Sequence, residues 1–157
     1  MRNSNTLAKW NEGKPVKMCC LQHYIPSFIA HAAHYGFDCI WLDLEHRAFD
    51  DREVQSLIYQ AHLHDIDMMV RPSTLEKTKL YRYLEDGAAG LMIPHVSDAE
   101  KARALVNAVK FPPFGDRGID GAGMDSSFML KGGYEYTNYF EGLAGHSSAP
   151  HKGVSAV

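Results

Sequence analysis

The chain has 157 residues, the size of one domain, and 45% of them are hydrophobic, enough to bury a core. Its formal net charge is -3 and its Lys and Arg are dispersed, so it lacks the basic stripe that a nucleic-acid backbone selects. No apolar run opens the chain and nowhere do ~18 apolar residues follow one another, which argues against a signal peptide and a membrane span and for a cytoplasmic protein.

In chain order, VKMCCLQ (Val16 to Gln22) reads as a short buried strand. IPSFIAHAAHYG follows as a helix, with Pro26 in its first turn and Gly36 as the left-handed residue past its end. A second apolar strand, FDCIWLDL, leads to Asp50 and Glu53, spaced as a capping box, and to a helix whose Val54, Leu57, Ile58 and Ala61 recur on one face. The third strand, IDMMV, ends at Arg71-Pro72-Ser73, and the helix after it closes at Gly87. The fourth, AGLMIP, leads to a capping box at Ser97-Asp98-Ala99-Glu100 and a helix with Ala102, Leu105, Val106 and Val109 as its buried stripe. These strands are continuously apolar rather than alternating, the pattern of a parallel sheet covered on both faces. Beyond Phe111, FPPFGDRGIDGAGMDSS is an expected irregular loop, Tyr134 to Phe140 a weak helical stretch, and Gly142 to Val157 a flexible end. Cys19, Cys20 and Cys39 are an odd number set in apolar runs, expected to be reduced core thiols. Four βα units suit either a small open α/β sheet or the first half of a (β/α)8 barrel, which needs roughly 250 residues when complete.

In both architectures functional groups gather where the strands end, and those positions are chemically dense here. The stretch WLDLEHRAFD closes the second strand with Asp43, Glu45 and His46; Arg71 closes the third, and Pro94-His95 the fourth. A lone loop histidine is most often a surface residue, but His46 follows two acids at a strand end, and imidazole is the side chain suited to moving protons near neutral pH. Arg71 could simply pair with a neighbouring acid, or its planar guanidinium could take a substrate carboxylate through two parallel hydrogen bonds. His31, His34, His62 and His64 lie on or at the end of helices and read as surface or helix-dipole residues. The glycines of GDRGIDGAG lack the strand-to-helix context of a dinucleotide site. One metal-based alternative groups His46, His95 and Asp43 around zinc as a hydrolase.

The segments GFDCIWLDLEH, VRPS and YLEDGAAGLMIPHVSDAEKARALVNAVKFPPFGDRG together resemble the HpcH/HpaI aldolase family, the class II pyruvate-dependent aldolases. The resemblance runs from about Val16 to Asp125, in order and at compatible spacing. It implies a TIM-type barrel of parallel strands, of which residues 1–125 are the amino-terminal half, with an irregular tail over 126–157. It also implies a carbon-carbon lyase that cleaves a 2-keto-4-hydroxy acid reversibly into pyruvate and an aldehyde, assisted by Mg²⁺, Mn²⁺ or Co²⁺. Carried over position by position, His46 is the base and Asp43 and Glu45 are the acids of the D-x-E-H motif. Arg71 binds substrate and steadies the enolate, and Glu85, in Leu84-Glu85-Asp86-Gly87, replaces the aspartate that partners the histidine. The family's metal ligands, a Glu on the fifth strand and an Asp on the sixth, have no recognisable counterpart. Glu135 and Glu141 are the only downstream glutamates. The expectation is therefore a shortened chain, homo-oligomeric and weak as an isolated enzyme, with a catalytically silent α/β binding domain as the alternative.

Overall fold

The computed structural model describes residues 3–130, so the helical stretch expected at Tyr134 to Phe140 and the flexible end lie outside the described residues. Four parallel strands, β1 (Met18–Leu21), β2 (Cys39–Asp43), β3 (Asp67–Arg71) and β4 (Gly90–Leu91), stand in sequence order in one sheet. The helices α2 (Pro26–His34), α3 (Asp51–Leu63) and α4 (Lys77–Glu85) connect them, and α5 (Ala99–Val109) follows β4. A 3₁₀ helix at Met124–Met129 follows the loop beyond α5.

The strands are shorter than the apolar runs that contain them, and β4 keeps only two residues. Alternation explains which side chains are buried where. Ile40 and Leu42 of β2 and Met68 and Val70 of β3 face the helices and pack with Ile29 and Ala32 of α2 and with Val54, Leu57, Ile58 and Ala61 of α3. The opposite face is buried at the strand ends, at Cys39, Asp43 and Asp67, and more open midway, where Cys20 is exposed and Trp41 and Met69 are half-buried. Cys20 is thus not the core thiol expected, whereas Cys39 is buried and its thiol is pushed up to about 11 by that burial.

Helix starts follow side-chain chemistry. Asp50 and Glu53 form a reciprocal capping box on α3. On α5 the cap is Asp98, which accepts the Lys101 N–H, rather than Ser97, whose hydroxyl donates to the Asp98 carboxylate. The α5 stripe is shallower than its spacing suggests, with Val106 exposed and Ala108 buried instead. Pro26 does open α2, and Gly36 is left-handed with φ +75.

One helix was not legible as such. Helix α1 (Asn5–Asn11) is capped by Ser4, and Asp67 at the start of β3 anchors it by accepting from Ser4 Oγ at 2.6 Å and the Thr6 N–H at 2.8 Å. It therefore sits at the amino end of the sheet and leaves the carboxyl end free. No helix among the described residues is long and apolar enough to cross a membrane.

Candidate active site

The parallel register places Asp43 directly beside Arg71, each the last residue of its strand. Asp43 is 1% exposed, and a carboxylate that deep needs a partner. Arg71 supplies it as a fork: Nε donates to Oδ1 at 3.1 Å and Nη2 to Oδ2 at 2.7 Å. Asp43 Oδ1 also accepts the backbone N–H groups of Glu45 at 3.1 Å and His46 at 3.2 Å, which turns the chain sharply after β2 and holds both side chains at the rim. The guanidinium hydrogen bond, helped by those two N–H groups, holds the Asp43 carboxyl below the usual carboxylate range against the opposing effect of burial.

Arg71 is fixed from two further sides. The Trp41 ring lies 4.6 Å from its guanidinium carbon, a cation–π contact. Glu45 Oε2 lies 3.3 Å from its Nε. Glu45 in turn is shared by two imidazoles, with His95 Nε2 at 3.1 Å from Oε1 and His46 Nε2 at 3.8 Å from Oε2. The result is a chain of contacts at one rim, Asp43 to Arg71 to Glu45 to both histidines, with Trp41 against the arginine.

Of the four expected site residues, Asp43, Arg71 and His46 come together and Glu85 does not. Glu85 ends α4, just before β4, so in a parallel sheet it stands toward the amino ends of the strands, whereas Arg71 stands at the carboxyl end. Its charged neighbours are Arg117, Asp125 and Asp120, and burial raises its carboxyl above the ordinary range. The spacing between the motifs is right, but a helix C-terminus and a strand C-terminus occupy opposite ends of a βα unit. His62 also departs from its surface reading, since its Nε2 lies 2.7 Å from the Gly87 carbonyl oxygen and ties α3 to the turn before β4. Trp41 was hidden inside an apolar run, and only the alternation of β2 could have aimed it at the Arg71 face.

The described residues do not fit a divalent metal. They contain no group of three or more His, Cys, Asp or Glu side chains arranged to hold one. The physical reason at the rim is that both Asp43 oxygens face the Arg71 fork. The same contacts dissolve the zinc-hydrolase grouping, because His46 and His95 converge on Glu45 rather than on Asp43.

Residues 17–141 match the family model described as HpcH/HpaI aldolase/citrate lyase. Over 99 residues the chain is 33% identical to a 2-dehydro-3,6-dideoxy-6-sulfogluconate aldolase of Pseudomonas putida, covering 63% of this chain and 39% of that protein. A pyruvate aldolase of Rhizobium etli is 33% identical over 84 residues, covering 54% of this chain and 33% of that one. The chain thus spans little more than a third of the length of these relatives. Among solved structures, an HpcH/HpaI aldolase from Desulfitobacterium hafniense superposes with a TM-score of 0.71 at 34% identity, covering 74% of this chain and 45% of the other. A protein of the same family from Burkholderia cenocepacia reaches 0.74 at 26% identity, covering 90% of this chain and 61% of the other.

Proposed function

The chain belongs to the HpcH/HpaI aldolase/citrate lyase family, and from that membership we propose that its rim cluster is one half of a carbon-carbon lyase site acting on a 2-keto-4-hydroxy acid. The observation that carries the reading is the Arg71 guanidinium fixed between Asp43 and Trp41, with His46 on the next turn. In the retro-aldol direction a base takes the proton of the 4-hydroxyl, the bond between carbons 3 and 4 breaks, and the aldehyde leaves. The electron pair passes to the 2-keto oxygen as an enolate, which takes a proton at carbon 3 to give pyruvate. His46 is the proton carrier, and Arg71 meets the carboxylate or the developing oxygen charge. Asp43 sets the arginine's orientation. A divalent ion, Mg²⁺, Mn²⁺ or Co²⁺, is the cofactor the resemblance implies; the described residues do not supply its ligand set, and these roles are those of the chain's own side chains.

Within one chain Glu85 and His46 stand apart, so the partnership that the resemblance implies would need a second copy, and a homo-oligomer is part of this reading. The partners are small keto acids and aldehydes in a cytoplasmic setting, without membrane or nucleic acid. The test is exchange of pyruvate methyl protons in deuterated buffer, with and without added Mg²⁺. Exchange should vanish in His46→Ala and fall roughly a hundredfold in Arg71→Lys, which keeps the charge and loses the fork. Mixing His46→Ala chains with Glu85→Gln chains should restore part of it. The want of a metal-ligand set among the described residues favours one second reading, a silent domain that binds keto acids; pyruvate binding without exchange under any of these conditions selects it.

A further inference from the structure

His95 is the rim residue that the lyase reading leaves without a role, and its backbone is unusual. Its φ is +55, in the left-handed region that residues with a side chain rarely adopt. Glycine would relieve the strain outright, whereas histidine, like asparagine and aspartate, enters this region more readily than other residues. The surroundings hold the strained form in place. The His95 carbonyl accepts from the Lys101 ammonium on the first turn of α5, and the imidazole reaches back across the strand ends to Glu45. A carboxylate can only accept, so Nε2 carries the hydrogen that points to Oε1.

The contact matters through Glu45, which has two oxygens and three claimants. With Oε1 engaged by His95 at 3.1 Å, Oε2 is the atom left toward Arg71 Nε at 3.3 Å and His46 Nε2 at 3.8 Å. Without His95 the glutamate side chain regains rotamers that turn Oε2 away from the imidazole it faces. We propose that His95 is a positioning residue: its left-handed backbone and its hydrogen bond to Glu45 fix the carboxylate that orients His46 and Arg71. The proposal rests on the lyase reading for the purpose of that orientation, but its geometry can be tested without any reaction.

Two variants separate backbone from side chain. His95→Gly relieves the left-handed strain and deletes the imidazole, so the fold should be retained or strengthened while Glu45 is released. His95→Gln restores a neutral donor near the same position. In the ligand-free protein, long-range ¹H–¹⁵N spectra of the histidine rings should show the His46 nitrogens shifting in His95→Gly and returning toward their original positions in His95→Gln, with His34 unmoved in both. In Glu45→Gln the further change to His95→Gly should leave His46 unaffected, because the link is already cut. Pyruvate proton exchange forms the second arm, where His95→Gly should lose roughly tenfold to a hundredfold in rate through misplacement of the base. His46 signals that ignore His95→Gly in a folded protein overturn the proposal whatever the exchange shows. Signals that shift in a protein without exchange keep the positioning role and count against the lyase reading.

Discussion

At the scale of single residues, the pairing of Asp43 with Arg71 ties stability to the proposed site. Asp43 is buried, and Arg71 keeps only part of its surface exposed. Removing one member of such a pair strands the other, so Asp43→Asn should cost about 3–5 kcal/mol in denaturant unfolding. The pH dependence has a definite sign. A carboxyl held below its ordinary range in the folded state stabilises the fold above the unfolded value of about 3.9, and that contribution is lost as pH falls toward the depressed folded value. Acid unfolding of the original chain should steepen below about pH 4, and Asp43→Asn should flatten that part of the curve. An unchanged acid limb in the variant would show that the pair contributes nothing.

At the scale of elements, the turn after α4 carries the opposite sign. Burial raises the carboxyl groups of Glu85, Asp86 and Asp125, all around the contact of α4 with the 3₁₀ helix. A carboxyl raised in the folded state binds its proton more tightly there than in the unfolded chain. The fold therefore gains stability as pH falls through the window above about 4, and loses it as pH rises. Glu85→Gln should raise the melting temperature at neutral pH, and the gain should shrink on acidification to pH 5. A melting temperature lowered by Glu85→Gln at neutral pH would instead mark the charged form as needed inside one chain. Arg117 supplies the counter-charge for Asp125 and Glu85, its Nη2 donating to Asp125 Oδ2 at 2.7 Å while its guanidinium stacks 4.5 Å from the Phe111 ring, and Asp86 accepts from Gln55 Nε2 at 2.7 Å.

For the whole molecule, the two faces of the sheet are unequally covered. The helix face is closed by α2, α3 and α4, while Cys20, Trp41 and Met69 leave the other face partly open. Apolar surface of that kind, beside a sheet with two edges, favours association. Sedimentation at several concentrations should therefore show self-association that grows with concentration, and alkylation of the exposed Cys20 should be slowed in the associated form. A monomer at every concentration, with Cys20 reacting at one constant rate, is the contrary outcome.

The order of the elements was legible in the sequence because each signal is local. Apolar runs, the Asp50–Glu53 box, Pro26 and Gly36 act within a few residues, and strands that alternate with helices point to a parallel sheet, whose order β1-β2-β3-β4 the structure supplies. The residue types at the rim were legible too, since strand ends can be located along the chain, and the family was legible as a resemblance of the segments that carry them. Helix α1 was not, because the buried carboxylate that anchors it, Asp67, lies some sixty residues away. Glu85 was assigned to His46 because spacing along a chain does not record which end of a βα unit a residue occupies. Conversely, His95 and Trp41 gained their places only when neighbouring strands came together, one on Glu45 and the other on Arg71. The sequence determined which local structures form and in what order. The tertiary structure alone decided which distant side chains share a carboxylate, because a hydrogen bond depends on separation in space and is blind to separation along the chain.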